Sequence, residues 1–167
     1  MIRIRGADGN QRVFRQIKRI PESFAKGIRR ANMIIGKTIQ TEARRTINED
    51  PKTGKLYIRE DIWSGRMVMH RASAFGESPA RFSGSLAASI GYSPSTGRLI
   101  VGAGTTGRDV QAFGAAAGQI GFGQIVDYAS KLELRMNRPY LKPSIAKKQK
   151  DTENYYLREI GRELSKL

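Results

Sequence analysis

The chain of 167 residues is 39% apolar, lacks cysteine, and sets 30 Lys and Arg against 15 Asp and Glu, a net charge of +15. This length suits one domain with a modest core, and the missing cysteine excludes disulfide staples, thiolate metal sites and cysteine nucleophiles together. So large a charge attracts phosphate and holds like copies apart unless a polyanion or a complementary patch intervenes.

The excess is uneven. Residues 1–50 carry twelve basic and five acidic side chains, residues 131–167 ten and five, and residues 51–130 only eight and five. The ends are basic and the centre is nearly balanced. No run approaches the roughly 18 consecutive apolar residues of a membrane span. Met1–Arg5 alternates Ile2 and Ile4 with Arg3 and Arg5 and forms no apolar signal core. The expectation is one domain over residues 1–167, soluble, not exported by a classical signal and with no membrane partner.

In chain order, Met1–Gly9 reads as a period-two strand ending in a turn at Gly6-Ala7-Asp8-Gly9. A long helix follows, with Phe24, Ile28, Ala31, Ile35, Ile39, Ala43 and Ile47 recurring at steps of three or four. Pro21 suits its first turn and Asn48-Glu49-Asp50-Pro51 its end. Between the apolar positions stand Lys26, Arg29, Arg30, Lys37, Arg44 and Arg45, a cationic face suited to a DNA backbone without base reading. Gly27 and Gly36 each weaken the helix by roughly 1 kcal/mol relative to Ala. Packing must therefore hold it, and their nine-residue spacing marks a close approach by another element.

Residues 51–82 read as an extended arm, with Lys55–Ile58 and Arg66–His70 forming a small hairpin around Trp63-Ser64-Gly65. Ser83–Ile90 is a short helix or turn. Strands at Ile90–Ser93 and Arg98–Gly102 pair through the turn Pro94–Gly97. Residues 102–124 are a Gly/Ala-rich loop, Ile125–Leu134 a last strand or short helix, and Pro143–Leu167 a terminal helix. The apolar positions of that helix, Ile145, Tyr156, Ile160 and Leu164, are sparse, which leaves its inner half to water. The fold class is α+β: a long N-terminal amphipathic helix and a C-terminal helix packed on a small antiparallel sheet, with an extended arm.

Catalytic groupings are missing from the sequence. His70 is the only imidazole, so no triad or histidine-rich metal site can be built within one chain. Glu60 and Asp61 are adjacent and do not face each other on a helix or strand. Gly102-Ala103-Gly104-Thr105-Thr106-Gly107 fits G-x-G-x-x-G, but no amphipathic helix follows it. Gly54-Lys55 is followed by Leu56 and so makes no Walker loop. The chain is read as a protein with no enzymatic activity, no cofactor and no metal.

Two blocks carry a resemblance. The first is His70-Arg71-Ala72-Ser73-Ala74-Phe75-Gly76-Glu77-Ser78-Pro79-Ala80, continued by Ser83-Gly84-Ser85-Leu86-Ala87-Ala88-Ser89-Ile90. The second is Tyr128-Ala129-Ser130-Lys131-Leu132-Glu133 with Arg138-Pro139-Tyr140-Leu141-Lys142-Pro143-Ser144. In this order, between two helices, they resemble the neck and tail-completion proteins that join head to tail in tailed bacteriophages. The pattern departs at Leu134-Arg135-Met136-Asn137, where that family usually has an aromatic and a Gly, and in a longer 102–124 insertion. The resemblance implies a homo-oligomeric ring, a hexamer or else a dodecamer, around a channel that passes double-stranded DNA. Its partners would be other neck, connector and tail-tube proteins, and its location the virion, assembled in the host bacterial cytoplasm. It also implies structural roles: Gly76, Gly84 and Pro79 shape turns, Arg138 and Pro139 anchor the start of the last helix, and Glu133 pairs with Arg138. The alternative reading is a stand-alone, sequence-independent nucleic-acid-binding protein.

Overall fold

A computed structural model describes residues 8–60, 64–81, 84–104 and 129–167. The expected strand at residues 1–5, most of the 102–124 loop and Tyr128 lie outside the described residues. Helix α1 spans Asp8–Glu49, 42 residues, a rod about 63 Å long at about 1.5 Å per residue. It begins well before Pro21, and Asp8 and Gly9, read as a turn, belong to it. The physical reason is phase. Ile17 and Ile20 stand seven and four positions before Phe24, so the apolar period runs through the proline. Pro21 is itself exposed, where the carbonyl it leaves unpaired can turn to water.

After α1 come β1 (Leu56–Glu60), β2 (Met67–Arg71), the short helix α2 (Ser85–Ser89), β3 (Ile90–Pro94) and β4 (Leu99–Ala103). Residues 129–134 are helical, and α3 (Leu141–Leu164) closes the chain. The strands form two antiparallel pairs, β1–β2 and β3–β4, each a separate two-stranded sheet. The expected hairpins and the α+β class are present, the sheet being divided into two ribbons.

Ala31, Ile35, Ile39, Ala43 and Ile47 are buried along one side of α1. Ala43 and Ile47 join Ala87, Ile90, Ala129 and Tyr140 in one apolar cluster, with Leu86 and Leu141 packed on it. Ala31, Ile35 and Ile39 form a second, covered by Leu99, Val101, Tyr155 and Tyr156. Gly27 and Gly36 each mark a close approach to α1. A Cβ at Gly27 would stand 2.6 Å from Ile160 Cα of α3, and one at Gly36 would stand 2.6 Å from the Tyr92 ring of β3. The weak helix formers are thus what let α3 and the sheet reach the α1 backbone.

The seam between α1 and α3 is more ionic than its apolar spacing suggested. Ile145 is exposed, and the buried residues of α3 are Ser144, Glu159 and Glu163. Glu163 takes Arg30 and, at 2.5 Å, Lys166. Glu42, from the α1 side, takes Lys147 at 2.7 Å and Arg45 at 3.0 Å. These hydrogen-bonded cations, Arg45 foremost and then Lys147, hold the Glu42 carboxyl at about 2. The Tyr156 hydroxyl donates to Asn32 Oδ1, and Asn32 Nδ2 donates to Ser95 O at 2.5 Å, so a buried amide ties α3 to the β3–β4 turn.

Candidate functional site

The two blocks of the resemblance, some fifty residues apart in sequence, meet at the C-terminal end of α1. Gly76 N–H donates to Asn137 O at 2.8 Å, bonding the first block to the stretch that links the two parts of the second. Gly76 and Gly84 have φ of 84° and 83°, a region that strains any side chain, so these two turns require glycine. Asn137 takes φ 45°, a conformation that Asn tolerates better than most residues.

Each block contains one carboxylate that gathers backbone donors. Glu77 accepts from Ala74 N–H at 2.8 Å, Thr53 N–H at 3.0 Å and Thr53 Oγ1 at 2.5 Å. The Thr53 hydroxyl first, then the two N–H groups, hold its carboxyl at about 2. Glu133 accepts from Tyr140 N–H at 2.9 Å, Leu141 N–H at 3.3 Å and Lys142 N–H at 2.9 Å. The next residue, Pro143, has no N–H, so the opening donors of α3 are all accounted for. Glu133 therefore does not pair with Arg138. The chain reverses at Asn137 and brings the carboxylate onto the positive end of the helix, where three N–H groups take its oxygens. Arg138 contributes its backbone instead, donating N–H to Leu132 O at 2.9 Å.

The end of α1 is finished from the same place. Ser78 Oγ donates to Thr46 O at 2.8 Å, and Lys52 Nζ reaches that carbonyl at 3.0 Å. Partial burial pushes the Lys52 amine down from its usual value. Between these parts lies a cavity of about 370 Å³, walled by Pro51, Gly76, Glu77, Pro139, Tyr140 and Pro143 among others. Pro79 is buried beside the joint, and burial, with the Glu133 charge, pushes the Tyr140 phenol up to about 12. His70 lies on β2 opposite Tyr57, out on the arm. The joint fixes where the arm leaves the body, through Thr53 on Glu77 and Ala72 N–H on Lys55 O at 3.0 Å.

The six cations assigned to the DNA-facing side of α1 divide. Arg44 donates to Ala88 O and Ile90 O at 3.1 and 2.8 Å, holding α2 and β3 to the helix. Arg45 pairs with Glu42, Glu49 and Asp50, and Arg30 with Glu163. Lys26 pairs with Glu22 at 2.8 Å, both largely exposed, a contact that leaves its charge accessible. Arg29 and Lys37 are exposed and form no ion pair among the described residues. Lys18 and Arg19 are exposed on the same helix, and sequence reasoning missed them by starting α1 at Pro21. The spacing 19, 26, 30, 37 puts these cations on one side of α1.

Among the described residues no helix is long and apolar enough to cross a membrane. Comparison with protein-family models, curated proteins and solved structures returns no match to this chain.

Proposed function

We propose that this chain is a structural subunit of the neck of a tailed bacteriophage, completing the tail and joining it to the DNA-filled head as a ring around the DNA channel. The observation that carries the reading is the convergence of the two sequence blocks on one joint. Gly76, Glu77, Pro139, Tyr140 and Pro143, each part of the quoted pattern, wall a single cavity. Gly76 N–H donates to Asn137 O, in the stretch between the two parts of the second block. Residues that share a pattern across such a separation are expected to share a structural task, and here the task is to anchor a protruding arm to two helices.

The exposed cations of α1 suit a channel wall or rim. They present Lys18, Arg19, Arg29 and Lys37 to phosphate with no grouping for base edges. These cations also favour the second reading, a stand-alone DNA binder. Imaging of phage lacking this gene separates the two: filled heads beside detached tails are the expected defect, and normally joined virions would overturn the neck reading. Light scattering with and without duplex DNA adds the second arm, since a chain that stays monomeric while binding DNA in a steeply salt-dependent way supports the stand-alone binder.

A further inference from the structure

One row of α1 has two different coverings along its length. Residues 32, 36, 40 and 44 stand four apart and so form a single ridge. All four face the α2–β3–β4 unit: Asn32 donates to Ser95 O, Gly36 lies under Tyr92, and Gln40 and Arg44 donate to Ile90 O. The same ridge continues toward the N-terminus as Ile28, Phe24 and Ile20, and there it turns apolar. The hairpin turn at Ser95 marks the end of its cover, and Phe24 and Ile20 are 45% and 43% exposed. The seam that receives a two-stranded β-ribbon in its C-terminal half is thus apolar and open in its N-terminal half.

The chain also holds a two-stranded ribbon with an open apolar face. In the β1–β2 register Leu56 stands opposite Arg71, Ile58 opposite Met69, and Glu60 opposite Met67. Partners across an antiparallel pair share a face, so Leu56, Ile58, Met67 and Met69 lie together. They are 45%, 70%, 66% and 73% exposed. A lone two-stranded ribbon is marginal in water unless a helix or another strand covers it. A chain's own ribbon cannot reach its own open seam. Glu77 roots it beyond the C-terminal end of α1, about 37 Å along the helix from Phe24 at about 1.5 Å per residue.

We propose that the Leu56–Ile58–Met67–Met69 face of one copy docks on Ile20, Phe24 and Ile28 of a second copy, extending between molecules the helix-on-ribbon packing that β3–β4 makes within one. The two surfaces differ and sit at different levels along α1, one mid-helix and one beyond its C-terminal end, so the contact is head-to-tail and closes as a ring when the rotation permits. The inference deepens the ring reading and rests on it only in requiring that copies meet.

The chain contains no cysteine, which makes the test clean. Ile58→Cys and Phe24→Cys are made in separate preparations, mixed and mildly oxidised, with Lys37→Cys replacing Phe24→Cys as the control. The expected result is a mixed disulfide between Ile58→Cys and Phe24→Cys, with its loss in the control. In the otherwise native chain, Met69→Glu should shift sedimentation from multimer to monomer with the helical circular dichroism unchanged. Trapping captures even a sparsely populated encounter, so the absence of the mixed bond overturns the docking. Dominant Ile58→Cys homodimers overturn it in favour of ribbon meeting ribbon. A Phe24→Cys thiol that no reagent reaches in the monomer overturns it in favour of cover from the same chain. The neck reading fails separately, if phage lacking the gene still join heads to tails while the mixed disulfide forms.

Discussion

Glu133 shows how much one carboxylate can organise from a distance. It lies upstream of α3 and accepts three of that helix's opening N–H groups. Glu133→Ala leaves those donors at a partly buried helix start and is expected to cost about 1–2 kcal/mol, measured as a lowered urea midpoint. Glu133→Gln, which keeps an acceptor, should recover part of this. Glu77 and Glu42 give a second prediction. Both carboxyls are held at about 2 in the fold, below the ordinary 4.5. A depressed carboxyl contributes stability that is complete above about 4.5 and lost as pH falls toward 2. The melting temperature should fall across that window, and Glu77→Gln should melt lower at neutral pH with a shallower acid decline. Neither role was legible in sequence. Glu133 five residues before Arg138 reads as an ion pair, and only the reversal at Asn137 turns it onto backbone. Glu77 is visible as part of a pattern, but its partner Thr53 lies across the whole arm.

At the scale of the element, α1 was the most legible part and also the place of the clearest miss. The period from Ala31 to Ile47 fixes its buried face, while Phe24 in the same phase is left 45% exposed, and the two glycines correctly mark where neighbours press close. Residues 8–20 of it were lost because Pro21 reads as a beginning, although Ile17 and Ile20 keep the same phase. For α3 the difficulty was chemical. A search for apolar recurrence passes over a helix whose buried positions are Glu159 and Glu163. The glycines also supply a test. Gly36→Ala would gain roughly 1 kcal/mol of helix propensity, yet its Cβ would stand 2.6 Å from the Tyr92 ring. Overpacking of this kind typically costs about 1–3 kcal/mol, so the clash should win and lower the thermal midpoint. Pairing it with Tyr92→Ala should give less than the sum of the two losses.

For the whole molecule, net charge is a poor guide to which cations face outward. Arg30, Arg44 and Arg45 hold the fold together, while Arg29 and Lys37 form no ion pair among the described residues. Duplex binding measured against salt separates the groups. Lys37→Ala and Arg29→Ala should each reduce the slope of log affinity against log salt by about one, with unfolding unchanged. Arg44→Ala should lower stability and leave that slope alone. The polar seam between α1 and α3 has a further consequence. Parting the two helices would break the ion pairs of Glu42 with Lys147 and of Glu163 with Arg30, and would uncover Ala31, Ile35 and Ile39 beneath Tyr155 and Tyr156. Dissolved ions favour such an opening by screening the pairs. In hydrogen exchange, α3 should open as a unit ahead of the apolar cluster around Ile47 and Ile90, and sooner in salt. The C-terminal helix is thus fastened by a latch that ionic strength loosens, while the body beneath it stays closed.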